Sequence, residues 1–166
     1  MKTIILTGLW NTGKDFAAEI LQNLGVNMGL GVRQNFGPRC DDELAYLFDA
    51  HPQTIPVQEV IRRRDALGVD WGTKQVMFWN KCSPVTMTDI FTNPRVIIMQ
   101  RDLAVIQQET GRGEEDIAEE ITRSLHWKRR LSCPVMHLSA EMMFRYPDRA
   151  QNVMASFCGV KIPVAA

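Results

Sequence analysis

The chain has 166 residues, 45% of them apolar, with 19 Lys and Arg against 19 Asp and Glu. That length suits one domain whose core buries roughly two-thirds of the unfolded surface, and the balanced charge excludes a whole-molecule field for nonspecific DNA or anionic membrane binding. Cys40, Cys82, Cys133 and Cys158 form no C-x-x-C pair or Cys/His cluster, so neither a zinc site nor a disulfide framework is legible, and reduced thiols in a cytoplasm fit best.

In chain order, "TIILT" at 3–7 is short, β-branched and free of polar alternation, the pattern of a buried parallel strand. Its apolar run, Ile4 to Leu6, is too short for a signal peptide. "GKDFAAEILQNLG" follows as a helix with Phe16, Ile20, Leu21 and Leu24 on one stripe and a stop at Gly25. The stretch 25–39, "GVNMGLGVRQNFGPR", is too long and glycine-rich for a simple connection. It is expected to fold over something, outside the carboxyl ends of the strands. "DDELAYLFDA" begins a helix with carboxylates, and "PVQEVIRRRDALG" runs from Pro56 to a stop at Gly68.

"KQVMFW" at 74–79 is a weaker strand. Ser83-Pro84 opens a helix that Asn93-Pro94 would end before the strand "RVIIM" at 95–99. "EEDIAEEITRSLHWKRRLS" has acidic residues at its start and basic ones at its end, as the helix dipole prefers. "PVMHLS" at 134–139 is another strand, and "PDRAQNVMASFCG" is a last helix that stops at Gly159. No run of about 18 apolar residues offers a membrane span. Alternating strands and helices predict a single α/β domain over 1–166, a three-layer α/β/α fold with a four- or five-stranded parallel sheet.

The turn between the first strand and first helix carries the chemistry. "GLWNTGKD" has the spacing of a phosphate-binding loop, G-x-x-x-x-G-K, with Asp15 where the usual pattern has a magnesium-binding hydroxyl. Gly8 permits a sharp turn, Gly13 permits close approach of a phosphate, and Lys14 can reach the transferred group. Gly8, Leu9, Trp10, Asn11, Thr12, Gly13, Lys14 and Asp15 are therefore the expected nucleotide-binding residues. A carboxylate at position 15 must be offset by a metal or by nearby cations. Either Asp15 holds magnesium, or the site works with less metal.

Arg101 and Asp102 stand directly beyond the strand "RVIIM", where a phosphate clamp or a metal-holding acid belongs. "RVIIMQRDL" and the tail "PVMHLSAEMMFRYPDRAQNVMASFCGVKIP" resemble the C-terminal half of bacterial sulfotransferase-like P-loop proteins. "WGTKQVMFW" is similar to their Trp…Lys-Asp-Pro segment, which implies a role for Lys74 near the transferred group. Their serine for the donor's 3′-phosphate falls on Glu109, and a carboxylate there would repel a phosphate. The loop itself is closer to P-loop kinases, whose lysine follows the second glycine directly. That resemblance implies an arginine-bearing lid, for which "TGRGEED" with Arg112 between glycines is the counterpart. Arg123, Lys128, Arg129 and Arg130 follow on the long helix, where a solvated basic end is the plain alternative.

Among small P-loop kinases, the phage enzymes that phosphorylate 5-hydroxymethyluracil in DNA are a candidate relative. For a nucleic-acid strand, "RRR" at 62–64 with Trp71, Phe78 and Trp79 offers phosphate contacts and stacking, although such aromatics are more often core. The expectation is a phosphotransferase that uses ATP and Mg2+ to phosphorylate a hydroxyl of a nucleoside, nucleotide or hydroxymethylated base. Lys14, Lys74, Arg101 and Arg112 would serve transfer, Asp42 would take the acceptor's proton, and Asp15 and Asp102 would hold metal. Asp41, Asp42 and Glu43 fit a helix N-terminus equally well. A sulfotransferase using an adenylyl sulfate donor, or a nucleotide-binding module without turnover, is the alternative.

Overall fold

The computed structural model describes residues 1–28, 43–44, 47–48 and 55–162. All six residues of β1 (Thr3–Gly8) are buried. A strand with no polar alternation needs cover on both faces, and β1 receives it at the centre of the sheet. Five parallel strands run in the order β2-β3-β1-β4-β5, with β2 at Asn27–Met28, β3 at Trp71–Val76, β4 at Pro94–Gln100 and β5 at Val135–Ser139. Leu6 lies opposite Lys74 of β3 on one side and Ile97 of β4 on the other. The loop that leaves β1 at Gly8 therefore opens in the middle of the sheet's carboxyl edge, where α/β proteins place ligands.

Successive side chains of the central strands go to opposite faces, so each face has its own core. Ile5, Val96 and Ile98 pack on one side with α2 (Ile55–Asp65), α3 (Pro84–Ile90), α4 (Leu103–Thr110) and α5 (Glu114–Arg129). On that side Phe78 meets Trp127 edge to face, with ring centroids 6.1 Å apart. Ile4, Leu6, Ile97 and Met99 pack on the other side with α1 (Lys14–Asn23), α6 (Ala140–Arg145) and α7 (Pro147–Cys158). The chain thus has the expected α/β architecture, an all-parallel sheet with helices on both faces.

Two elements depart from the pattern read in the sequence. The third strand occupies 71–76 and not 74–79, because Met77 turns the chain with a φ of 46° and Phe78–Asn80 form a 3-10 turn. Its first residues, Trp71, Gly72 and Thr73, do not read as strand because a glycine and a threonine interrupt the apolar pattern. The glycine-rich stretch begins with the edge strand β2, and the remainder from residue 29 lies outside the described residues. The expectation that it folds over something falls there.

Candidate functional site

The β1–α1 loop is built from backbone conformations that few side chains adopt. Gly8 has a φ of 154° and Gly13 one of 75°, while Asn11 sits at 54°, a region that Asn tolerates better than most residues. A Cβ on Gly8 would lie 2.7 Å from the Met99 carbonyl oxygen and 2.8 Å from Thr12 Oγ1. Glycine is therefore required for the loop to pass over the end of β4.

Lys14, the first residue of α1, folds back into this loop. Its Nζ donates to the Leu9 carbonyl oxygen and, at 3.2 Å, to Thr12 Oγ1. Thr12 Oγ1 in turn donates to the Leu9 carbonyl at 2.9 Å. Lys14 is only 6% exposed. Burial, first, and then the Lys74 ammonium lower its pKa to about 7, with Asp15 acting in the opposite direction. An ammonium buried against neutral carbonyl and hydroxyl groups gains charge stabilisation from an anion brought to the loop.

Asp15, in the first turn of α1, is bound by Lys74. The Lys74 side chain is 8% exposed and that of Asp15 66%, so the pair runs from the sheet's interior to the surface beside the loop. The opposite wall is made by Arg101, just past β4, whose Nη1 donates to the Asn11 carbonyl at 2.8 Å and to Glu109 Oε2 at 2.8 Å. Arg101 is thus tied to the loop, and its charge is shared with the carboxylate that the sequence set against a sulfate donor.

Asp102 is the N-cap of α4, its side chain accepting from the Ala104 N–H at 2.8 Å. Arg112 lies between Gly111 and Gly113 in the α4–α5 turn, and its Nη1 is 3.9 Å from Met77 Sδ past the end of β3. Asp42 lies outside the described residues. Glu43 next to it pairs with Arg63 and, at 3.1 Å, with Arg64. Arg62 pairs with Glu59 at 2.5 Å, and Arg123 pairs with Glu119 at 2.5 Å and Glu120 at 3.2 Å.

Trp71, Phe78 and Trp79 are buried in the core and offer no surface for stacking a nucleic-acid strand. Trp79 instead donates from Nε1 to Glu120 Oε2 at 2.9 Å. One side chain that sequence reasoning missed is Glu141, which accepts from Ser139 Oγ at 2.6 Å and from the Asp102 N–H at 2.9 Å. Burial opposes its charge, but those hydrogen bonds, its own N–H and Arg101 hold the carboxyl below its usual range. It fastens the end of β4 to the end of β5. A serine two residues before a glutamate was the only local signal.

Next to the loop is a cavity of about 310 Å³ walled by Leu9, Thr12, Trp79, Ile98, Arg101 and Ile106, among others. Its wall is largely apolar, with polar groups from Thr12, Gln100, Arg101 and Ser124, the usual makeup of a small-molecule site.

No protein-family model matches the chain, and no curated protein sequence matches it. Among solved structures it is similar to an unliganded sugar kinase from Janibacter sp. HTCC2649, with a TM-score of 0.55 and 12% identity over 100% of this chain and 99% of that one. What the two share is the fold. Chemistry has to be argued from the site, because one α/β fold serves many activities.

Among the described residues, no three His, Cys, Asp or Glu side chains are grouped to hold a metal ion. Asp15, at the loop position that usually holds magnesium, is bonded to the Lys74 ammonium, and Asp102, the strand-end acid, caps its own helix. A divalent cation would have to displace a partner from either carboxylate, so these residues do not fit a resident one.

Proposed function

We propose that the chain is a P-loop kinase that moves the γ-phosphoryl group of a nucleoside triphosphate to a hydroxyl acceptor. The buried Lys14 ammonium, folded into a loop of left-handed and glycine backbone at the head of α1, is the observation that carries this reading. The loop amides and the positive end of the helix would hold the β-phosphate, and Lys14 would bridge the β- and γ-phosphates. Arg101 is close to the loop and needs only to exchange Glu109 for a phosphate oxygen. Arg112 would enter from the glycine-flanked turn as the substrate is enclosed.

The acceptor's ring or chain would fill the cavity beside Thr12 and Arg101, with its hydroxyl toward the loop. Its oxygen attacks the γ-phosphorus, the nucleoside diphosphate leaves, and a carboxylate, for which we assign Asp42, takes the hydroxyl proton. A cavity of this size and polarity favours a nucleoside, a nucleotide or another small alcohol over a nucleic-acid strand.

The test is to incubate the protein with γ-labelled ATP, and separately with labelled adenylyl sulfate donor, against nucleosides, nucleotides, sugars and hydroxymethylated DNA. Label is expected from ATP on a small alcohol, and label from the sulfate donor alone overturns the kinase reading. The Lys14→Ala protein, folded by circular dichroism, should lose about 100-fold or more in turnover. Undiminished turnover in that variant would refute the role of the loop.

A further inference from the structure

The residue after the loop lysine is usually a hydroxyl bound to magnesium, and an acid on a neighbouring strand helps to hold the ion. Here the helix position is Asp15, the acid beyond β4, Asp102, is taken up as a helix cap, and the charged group that reaches the loop from β3 is the Lys74 ammonium. Lys74 lies opposite Leu6 in the β1–β3 register, two residues short of Gly8, so the sheet delivers its side chain to the base of the loop. The ammonium is close enough to Lys14 to depress that lysine's proton affinity, and it is bonded to Asp15. We infer that the Lys74 ammonium, fixed by Asp15, takes the place of the divalent cation, so that the loop binds a nucleoside diphosphate or triphosphate without a metal held by the protein. This rests on the phosphate-site reading given above and extends it.

Two physical considerations support the exchange, and a third sets how the ligand's charge is matched. A metal bound to Asp15 would have to displace Lys74, leaving a nearly buried ammonium without that carboxylate, which is costly. A divalent ion there would also be repelled by the Lys74 ammonium and, whenever it carries its proton, by Lys14. Finally, Asp15 and Lys74 together are neutral, whereas a hydroxyl, a carboxylate and a divalent cation leave one positive charge. The polyphosphate must then be matched by Lys14, by Arg101 and by backbone N–H groups. An ion held on the strand by a covalent stem does not exchange with solvent, so the site's charge is independent of the metal concentration around it.

The experiment is calorimetric titration of the full chain with ADP, in EDTA and in excess magnesium. The expected result is binding in EDTA that magnesium leaves within about twofold or weakens, since chelated ADP presents less negative charge to the lysines. Binding that magnesium strengthens tenfold or more overturns the inference and leaves the phosphate site intact, whereas no binding in either solution overturns both. In the Asp15→Thr/Lys74→Asp double variant, which restores the hydroxyl and the acid, magnesium should strengthen ADP binding about tenfold. Lys74→Met tests the same point with less disturbance: affinity in EDTA should fall about tenfold without recovery on adding magnesium. Unaltered affinity in that variant counts against the inference.

Discussion

At the scale of single residues, the proton on Lys14 links ligand binding to pH. Its pKa in the folded chain is about 7 against an ordinary 10.5, because it is buried and faces Lys74. Between those values the unfolded chain binds the extra proton, so this group makes the fold more stable as pH rises from about 7 to 10.5, and that gain is lost as pH falls back to about 7. A phosphate bound at the loop, as proposed, would restore the proton. Nucleotide binding at pH 8 should therefore take up about one proton, and affinity should fall by up to about tenfold per pH unit above neutrality. Calorimetry in buffers of different ionisation enthalpy measures the uptake, and an absence of proton uptake would show that Lys14 is already charged in the empty loop. Gly8→Ala tests the loop's backbone. With a Cβ 2.7 Å from the Met99 carbonyl, it should cost about 2–3 kcal/mol in urea unfolding.

At the scale of elements, the helix boundaries follow local chemistry. Ser83 caps α3 by accepting from the Thr86 N–H at 3.1 Å, with Pro84 in the first turn, and Ser83→Ala should lower stability by about 1 kcal/mol in the same assay. Such stops and starts were legible because capping residues act on their immediate neighbours, and the strands 3–8, 94–100 and 135–139 were legible as apolar runs. The β3 strand reads three residues late because Gly72 and Thr73 break its apolar pattern and the apolar run Val76–Trp79 continues past its end into a turn. The loop at 8–14 could likewise be read from its spacing. The Asp15–Lys74 pair could not, since 59 residues separate the partners and only the β1–β3 register brings them together. Sequence spacing said that Asp15 needed a cation, but only the sheet supplied the choice between a metal and an ammonium.

At the scale of the molecule, two apolar cores share one sheet, and β1 and β4 contribute to both. We therefore expect a single cooperative unit. Leu21 is fully buried on the face of α1 and α7, whereas Trp71, Trp79 and Trp127 all lie in the opposite core. Leu21→Ala should cost about 2–5 kcal/mol and shift tryptophan fluorescence and far-ultraviolet dichroism to the same new midpoint. Separate midpoints would mean that the two faces unfold independently. The placement of the tryptophans has an optical consequence as well. Three of the four are buried in one core, Trp79 also walling the cavity beside the loop, while Trp10, in the β1–α1 loop, is 48% exposed. A collisional quencher such as acrylamide therefore reaches mainly one indole, the one beside which a polyphosphate would sit. The chain carries its own reporter of loop occupancy, readable without a label and undisturbed by whatever happens on the far side of the sheet.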